Sequence, residues 1–186
     1  RDIGVTGVQT CALPISRLLP DRQLVADSGA AISGRRGVIV CGGDDWPPEF
    51  AAAVSALARQ LDCPLLAEPL SNLRFGGHDR SRLCVRYDAF LRPPSPLAAA
   101  RPEWLLRCGG FPVTRTLQDW LRANSGALQI VLGADSRWRD PLHCAAAVIQ
   151  GDPLAVCDEW LATPLRPAAP GWRAMLDRKS TRLNSS

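Results

Sequence analysis

One stretch of this chain gathers polar groups of chemical interest beside an apolar run: LLAEPLSNLRFGGHDRSRLCVRYD at 65–88, in which Asn72, Arg74 and His78 stand among prolines and glycines. A guanidinium offers a planar fork of donors that suits a carboxylate or phosphate. Other arginines recur where apolar runs end. Arg115 opens TRTLQDWLRA, and Arg137 and Arg139 follow LQIVL. A helix amino terminus joined to a guanidinium is an anion site. If the fold brings these residues to one edge, they would face an acidic ligand. The alternative is that they pair with neighbours such as Asp135 and Asp140 on a solvated surface, and residue types alone leave both open. His78 has acid–base chemistry but no partner at a telling spacing, so it reads as a loop histidine; His143, beside Cys144, reads the same way.

Other chemistries lack their residues. Gly42 and Gly43 close an apolar run as a dinucleotide site would, but G-x-G-x-x-G is incomplete and Pro47-Pro48 stands where the third glycine belongs. The pair is read as a tight turn, and no P-loop lysine follows any glycine run. With two histidines and no C-x-x-C pair among seven cysteines, a zinc site is not expected. Cysteines placed in or beside apolar runs, such as Cys41 and Cys108, read as reduced packing residues. A net charge of +4 is too weak and too scattered to point to nucleic acid. No apolar run approaches the roughly twenty residues of a membrane span. Reduced cysteines point to a cytoplasmic protein, and abundant Ala, Arg, Pro and Gly with a single lysine suggests a GC-rich bacterial source.

The elements that must position the arginines follow from periodicity. GVIV at 37–40 is short, apolar and β-branched, as a strand buried on both faces should be. Pro47 and Pro48 then suit a helix start, and Phe50, Val54, Leu57 and Leu61 repeat at helical spacing. PLLA at 64–67 is a second strand, YDAFL at 87–91 a short helix, and Pro93, Pro94 and Pro96 an irregular crossing. WLLRC at 104–108 is a strand closed by Gly109-Gly110, followed by a helix over 114–123 with Leu117, Trp120 and Leu121 inward. LQIVL at 128–132 and AAAVI at 145–149 are strands, and Asp152-Pro153 opens a last helix. Alternating strands and helices predict α/β: a three-layer, Rossmann-like parallel sheet of about five or six strands, its loops converging at the carboxyl edge.

The ends read differently. VTGVQTCALPI at 5–15 and DRKSTRLNSS at 177–186 back-translate into strings that are nearly reverse complements and match a common sequencing adapter. The only lysine, Lys179, lies in the second. Residues 1–16 and 177–186 are therefore expected to be disordered, adapter-derived tails flanking a partial gene. The expected organisation between them is an interdomain linker at 17–36 with a helical turn around Asp21 to Ala26, a central α/β domain at 37–165, and a second linker at 166–176.

PLSNLR with the following GGHD, then YDAFL, GGFPVTRTL and WRDP, in this order and spacing, resembles the central domain of the thiamine-diphosphate synthases of menaquinone biosynthesis, the SEPHCHC synthase (MenD) family. The resemblance spans most of 37–160. It implies a three-domain transferase, a homo-oligomer when full length. Such an enzyme decarboxylates 2-oxoglutarate on thiamine diphosphate, held with Mg2+, and adds the succinyl unit to isochorismate. It also implies that basic residues at the domain junction hold acidic substrates, or a downstream naphthoate inhibitor in some members. Arg115 in PVTRTL falls on such a position, and Asn72 and Arg74 in PLSNLR lie near the junction. With Arg139 from WRDP, these are the expected anion contacts.

The family's cofactor-activating glutamate belongs to the preceding domain and its GDG metal motif to the following one. Neither motif is present here. The segment itself is therefore expected to hold no catalytic residue, to bind neither thiamine diphosphate nor Mg2+, and to turn nothing over. The other readings weighed are the nucleotide- or FAD-binding middle domain of an acetolactate-synthase-like enzyme, and a free-standing module for acidic metabolites.

Overall fold

A computed structural model describes residues 18–92 and 100–172. The expected tails at 1–16 and 177–186, and the proline crossing at 93–96, lie outside the described residues. Six parallel strands form one sheet: β1 Gly37–Cys41, β2 Leu65–Ala67, β3 Leu83–Cys84, β4 Trp104–Cys108, β5 Leu128–Gly133 and β6 Ala145–Gln150. Their spatial order is β3-β2-β1-β4-β5-β6, with the direction of winding reversing between β1 and β4. This is the α/β, Rossmann-like arrangement that the alternating pattern predicts.

β1 and β4 are buried along their whole length, which explains why both read as apolar runs, broken in β4 by Arg107 alone. Successive residues serve opposite faces. Ile39, Cys41, Leu106, Cys108, Ile130 and Leu132 pack against α1 (Arg22–Ile32), α2 (Phe50–Gln60) and α5 (Pro153–Ala162). Val38, Val40, Leu66 and Leu105 pack against α3 (Tyr87–Phe90) and α4 (Arg115–Ala123). Asp152 caps α5 by accepting from the Leu154 amide at 3.0 Å, with Pro153 in the first turn.

The structure corrects the linker expectation at 17–36. Asp21 accepts from the amides of Gln23 and Leu24 and starts α1, an eleven-residue helix whose Val25 and Ile32 are fully buried. Gly29, which looks like a helix breaker, is where α5 packs. A β-carbon there would sit 2.9 Å from the Trp160 indole, whose Nε1 donates to the Val25 carbonyl at 2.8 Å. The stretch after 165 is also more than a tether: Trp172 is buried and its Nε1 donates to the Gly37 carbonyl at 2.9 Å. The two-residue β3 extends the sheet at one edge.

A candidate anion-binding rim at the carboxyl edge of the sheet

The loop after β2 is built around a carboxylate. Glu68 is 1% exposed; its Oε1 accepts from the Tyr87 hydroxyl at 2.7 Å and its Oε2 from the Val113 amide at 3.3 Å. The Tyr87 hydroxyl also lies 3.1 Å from the Thr114 hydroxyl, at the residue preceding α4. One buried acid therefore ties together the end of β2, helix α3 and the amino end of α4. Burial, then the hydrogen bond to Glu68, push the Tyr87 phenol up to about 12.

The predicted residues of that loop hang from this framework. After a turn at Pro69–Ser71, Asn72 takes a left-handed conformation with φ 57° and stays exposed. An asparagine tolerates that conformation better than most side chains. Arg74 turns back to donate from Nε to the Ala67 carbonyl at 3.0 Å, half-buried, and its charge reaches Tyr87. His78 Nε2 lies 3.0 Å from the Leu73 carbonyl, so that nitrogen is the donor and the ring braces the loop.

Arg115 stands next to Thr114 and so belongs to the same junction. Its Nε donates to Asp119 one turn along α4 at 2.8 Å, and the side chain is 79% exposed. It borders a groove of about 480 Å³ between α3 and α4, lined by Leu91, Arg92, Thr116, Asp119 and Trp120. Trp120 is 4% exposed, and its Nε1 has no hydrogen-bond partner among the described residues.

Arg139 is elsewhere. It lies buried over Gly133 and bonds Asp44 at 2.8 Å and Asp135 at 2.9 Å. Two carboxylates already answer its charge, so it is not presented to an incoming anion as the sequence reading expected. Arg137, 70% exposed, pairs with the same two aspartates. The neighbouring Asp140 takes the guanidinium of Arg107, a cation buried in β4. The fold thus ties the loop that carries Asn72 and Arg74 to the amino end of α4, where Arg115 stands, and sets Arg139 in a second, self-neutralised cluster on the loops after β1 and β5.

The residues that sequence reasoning missed are Glu68, Tyr87, Asp44 and Arg107. Arg107 left a signal: a lone cation inside WLLRC has to find a buried acid.

The turn where the winding reverses is filled by protein. The Gly42 amide donates to Cys108 O, Gly109 to Leu132 O and Gly110 to Gly43 O, and Trp46 covers Gly109. Those amides are spent inside the fold rather than left to cradle a diphosphate.

No family model matches the chain. Among curated proteins, 2-succinyl-5-enolpyruvyl-6-hydroxy-3-cyclohexene-1-carboxylate (SEPHCHC) synthase of Dechloromonas aromatica is 40% identical over 159 residues, covering 86% of this chain. The chain belongs to the SEPHCHC synthase family. It spans 29% of the length of that SEPHCHC synthase, and its extent fits a central domain. The SEPHCHC synthase of Geobacillus thermodenitrificans is 40% identical over 77% of the chain and 24% of its own length. That of Chloroflexus aurantiacus is 32% identical over 83% of the chain and 25% of its own length.

Among solved structures, a protein of Mycobacterium smegmatis described as a thiamin diphosphate-dependent enzyme aligns with a TM-score of 0.47 at 16% identity, over 91% of this chain and 34% of its own. Benzoylformate decarboxylase of Polynucleobacter necessarius aligns with a TM-score of 0.46 at 13% identity, over 88% and 32%.

Proposed function

We propose that this segment is the central domain of a SEPHCHC synthase, whose intact form decarboxylates 2-oxoglutarate on thiamine diphosphate with Mg2+ and adds the succinyl unit to isochorismate. The segment's part is to present cations to the acidic substrates, or to a regulatory anion, at a junction with neighbouring domains. The observation that carries this reading is the bridge from Glu68 through Tyr87 to Thr114, which holds the Asn72–Arg74 loop against the amino end of α4, where Arg115 begins. Arg115 is the leading contact. Its exposed fork is held only by Asp119, an exposed i,i+4 pair that costs little to open. Arg74 and Asn72 contribute from the loop that Glu68 and Tyr87 tie to the same end of α4, whereas Arg139 acts through the loop it holds.

Among the described residues no three of His, Cys, Asp and Glu come together as a metal site, so no step through the metal or the diphosphate is assigned to this segment. The cofactor supplies the carbanion chemistry in the intact enzyme; the residues here bind and orient. No helix among the described residues is long and apolar enough to cross a membrane. The spent amides at Gly42, Gly109 and Gly110 speak against the nucleotide- or FAD-binding alternative.

A chimera tests the reading. Residues 37–165 would replace the matching segment of the Dechloromonas aromatica enzyme, and SEPHCHC formation would be measured. Arg115→Ala in an active chimera should raise KM for an acidic substrate by about tenfold or more, the worth of one charge-assisted hydrogen bond. A folded chimera without activity, or an unchanged KM, would sink the assignment. Saturable binding of ADP or FAD by the chain would favour the other class.

A further inference from the structure

A second hollow lies at the carboxyl end of β5, apart from the α3–α4 groove that Arg115 borders. A crossover between parallel strands is usually a helix, and it covers the sheet. Between β5 and β6 the chain runs through 134–144 without one. A cleft of about 230 Å³ remains there, on the edge of the sheet where open α/β folds bind ligands. Val131 and Val148 line it from the strands, and Arg137, Trp138, Arg139 and Asp140 from the loop.

The charges of this cleft are already answered. Arg139 and Arg137 both pair with Asp44 and Asp135, and Asp140 pairs with the buried Arg107. A ligand of net charge would give up its water and meet no unpaired counter-charge, which is costly. Hydrogen-bonding groups, by contrast, are left over. The Nε of the buried Arg139 has no hydrogen-bond partner among the described residues, and the Ser136 hydroxyl and the Gln150 amide also line the cleft. The remaining wall is aromatic. Trp138 is 67% exposed, yet Arg139 and Asp140 beside it are buried, and the His143 ring leans on the indole with centroids 5.6 Å apart. An exposed indole pinned in this way is a ready stacking surface, since little freedom is lost when a flat partner lies on it.

We propose that this cleft is a binding site for a small, planar, uncharged ligand that carries a carbonyl acceptor, of the class of an aromatic amide or ketone. The ring stacks on Trp138 and covers Val131 and Val148, and the carbonyl oxygen takes up the donors around it. The volume is below the roughly 300 Å³ of sites for drug-sized ligands, so the ligand is small. A helix of another domain, about 10 Å across with its side chains, does not enter it. The site is separate from Arg115 and does not depend on the substrates proposed above.

Three probes of one size, titrated into the full nitrogen-labelled chain and followed by NMR, test the site. Benzamide should shift the Trp138 indole and the Val148 and Gln150 amides saturably. A Kd of about 1 mM is expected for a ligand of about nine non-hydrogen atoms. Benzoate adds a charge to the same flat shape, and cyclohexanecarboxamide keeps the carbonyl but not the flat ring. Each should bind these residues about tenfold more weakly or not at all. Trp138→Ala should weaken benzamide about tenfold, read from the Val148 and Gln150 amides, whereas Phe75→Ala, exposed on the loop after β2, should leave it unchanged. Circular dichroism checks that both fold, and the comparison of probes in the unmodified chain stands if either does not. Absence of saturation by about 20 mM benzamide overturns the proposal. So does equal binding of benzoate or of cyclohexanecarboxamide, binding indifferent to Trp138→Ala, or an equal loss on Phe75→Ala.

Discussion

Gly42 and Gly110 meet where the winding of the sheet reverses: a β-carbon on residue 42 would lie 1.9 Å from the Gly110 carbonyl oxygen. The contact is backbone against backbone, so no side-chain rotation relieves it. Overpacking a fixed site costs about 1–3 kcal/mol or more. Gly42→Ala is expected at the upper end of that range, measured as a shift in the urea midpoint. Gly126→Ala, with nothing within 4 Å of its added carbon, is the neutral control. Equal effects from the two would show that the turns are not in contact.

Tyr87 is the only tyrosine of the chain, so the ultraviolet absorbance of its phenolate reports on it alone. The titration midpoint should lie near 12 instead of the ordinary 10.0. Because the folded value is the higher one, the folded state holds the proton more tightly. The stability this contributes is complete below 10.0 and is lost as pH rises toward 12. Glu68→Gln removes the carboxylate that holds the hydroxyl proton, so the midpoint should move down toward 10.0 while the side chain stays buried. A wild-type midpoint at the ordinary value would dissolve the bridge on which the junction rests.

How much of this was legible depended on whether each residue's partner was near in sequence. WLLRC and LQIVL could be read as strands because burial on both faces leaves them mostly apolar, with Arg107 and Gln129 as the exceptions. α1 could not, because its inward positions include Ser28 and Gly29, the second of which is small for the sake of Trp160 far along the chain. β3 was invisible: two residues carry no period. The reading of Arg74 as a rim residue rested on its place after β2, which local sequence does fix. The pairing of Arg139 was hidden for the opposite reason. Asp135 was a visible neighbour, but Asp44, which completes its neutralisation, belongs to the loop after β1, and only the fold brings that loop to β5.

The cysteines should divide by burial. The Cys63 and Cys157 thiols are pushed up chiefly by burial, and Cys108 by its hydrogen bond with Cys41 and then by burial. Peptide mapping after brief alkylation at mildly alkaline pH should find Cys84 and Cys144 labelled, and Cys41, Cys63, Cys108 and Cys157 spared until denaturant is added. Ready labelling of Cys41 or Cys108 in the native chain would mean that the paired ends of β1 and β4 are open.

The ion pair of Arg107 and Asp140 replaces the missing crossover helix as the clamp on residues 134–144. Both side chains are almost fully buried; Arg107 also donates to the Arg139 carbonyl at 3.2 Å, and the Ala145 amide donates to Asp140 at 2.8 Å. Arg107→Met leaves a buried carboxylate unanswered and should cost about 3–5 kcal/mol. Arg107→Met with Asp140→Leu should cost less than the two single changes added together, since neither charge is then stranded. Burial raises the Asp140 carboxyl, but the Ala145 amide and Arg107 outweigh it and hold the group below its ordinary 3.8. Its contribution is therefore present above that value and is lost as pH falls through the lower folded value. Asp140→Asn should flatten the acid limb of the stability curve, read from urea midpoints at successive pH values. An acid limb unchanged in that variant would place the clamp elsewhere in the loop.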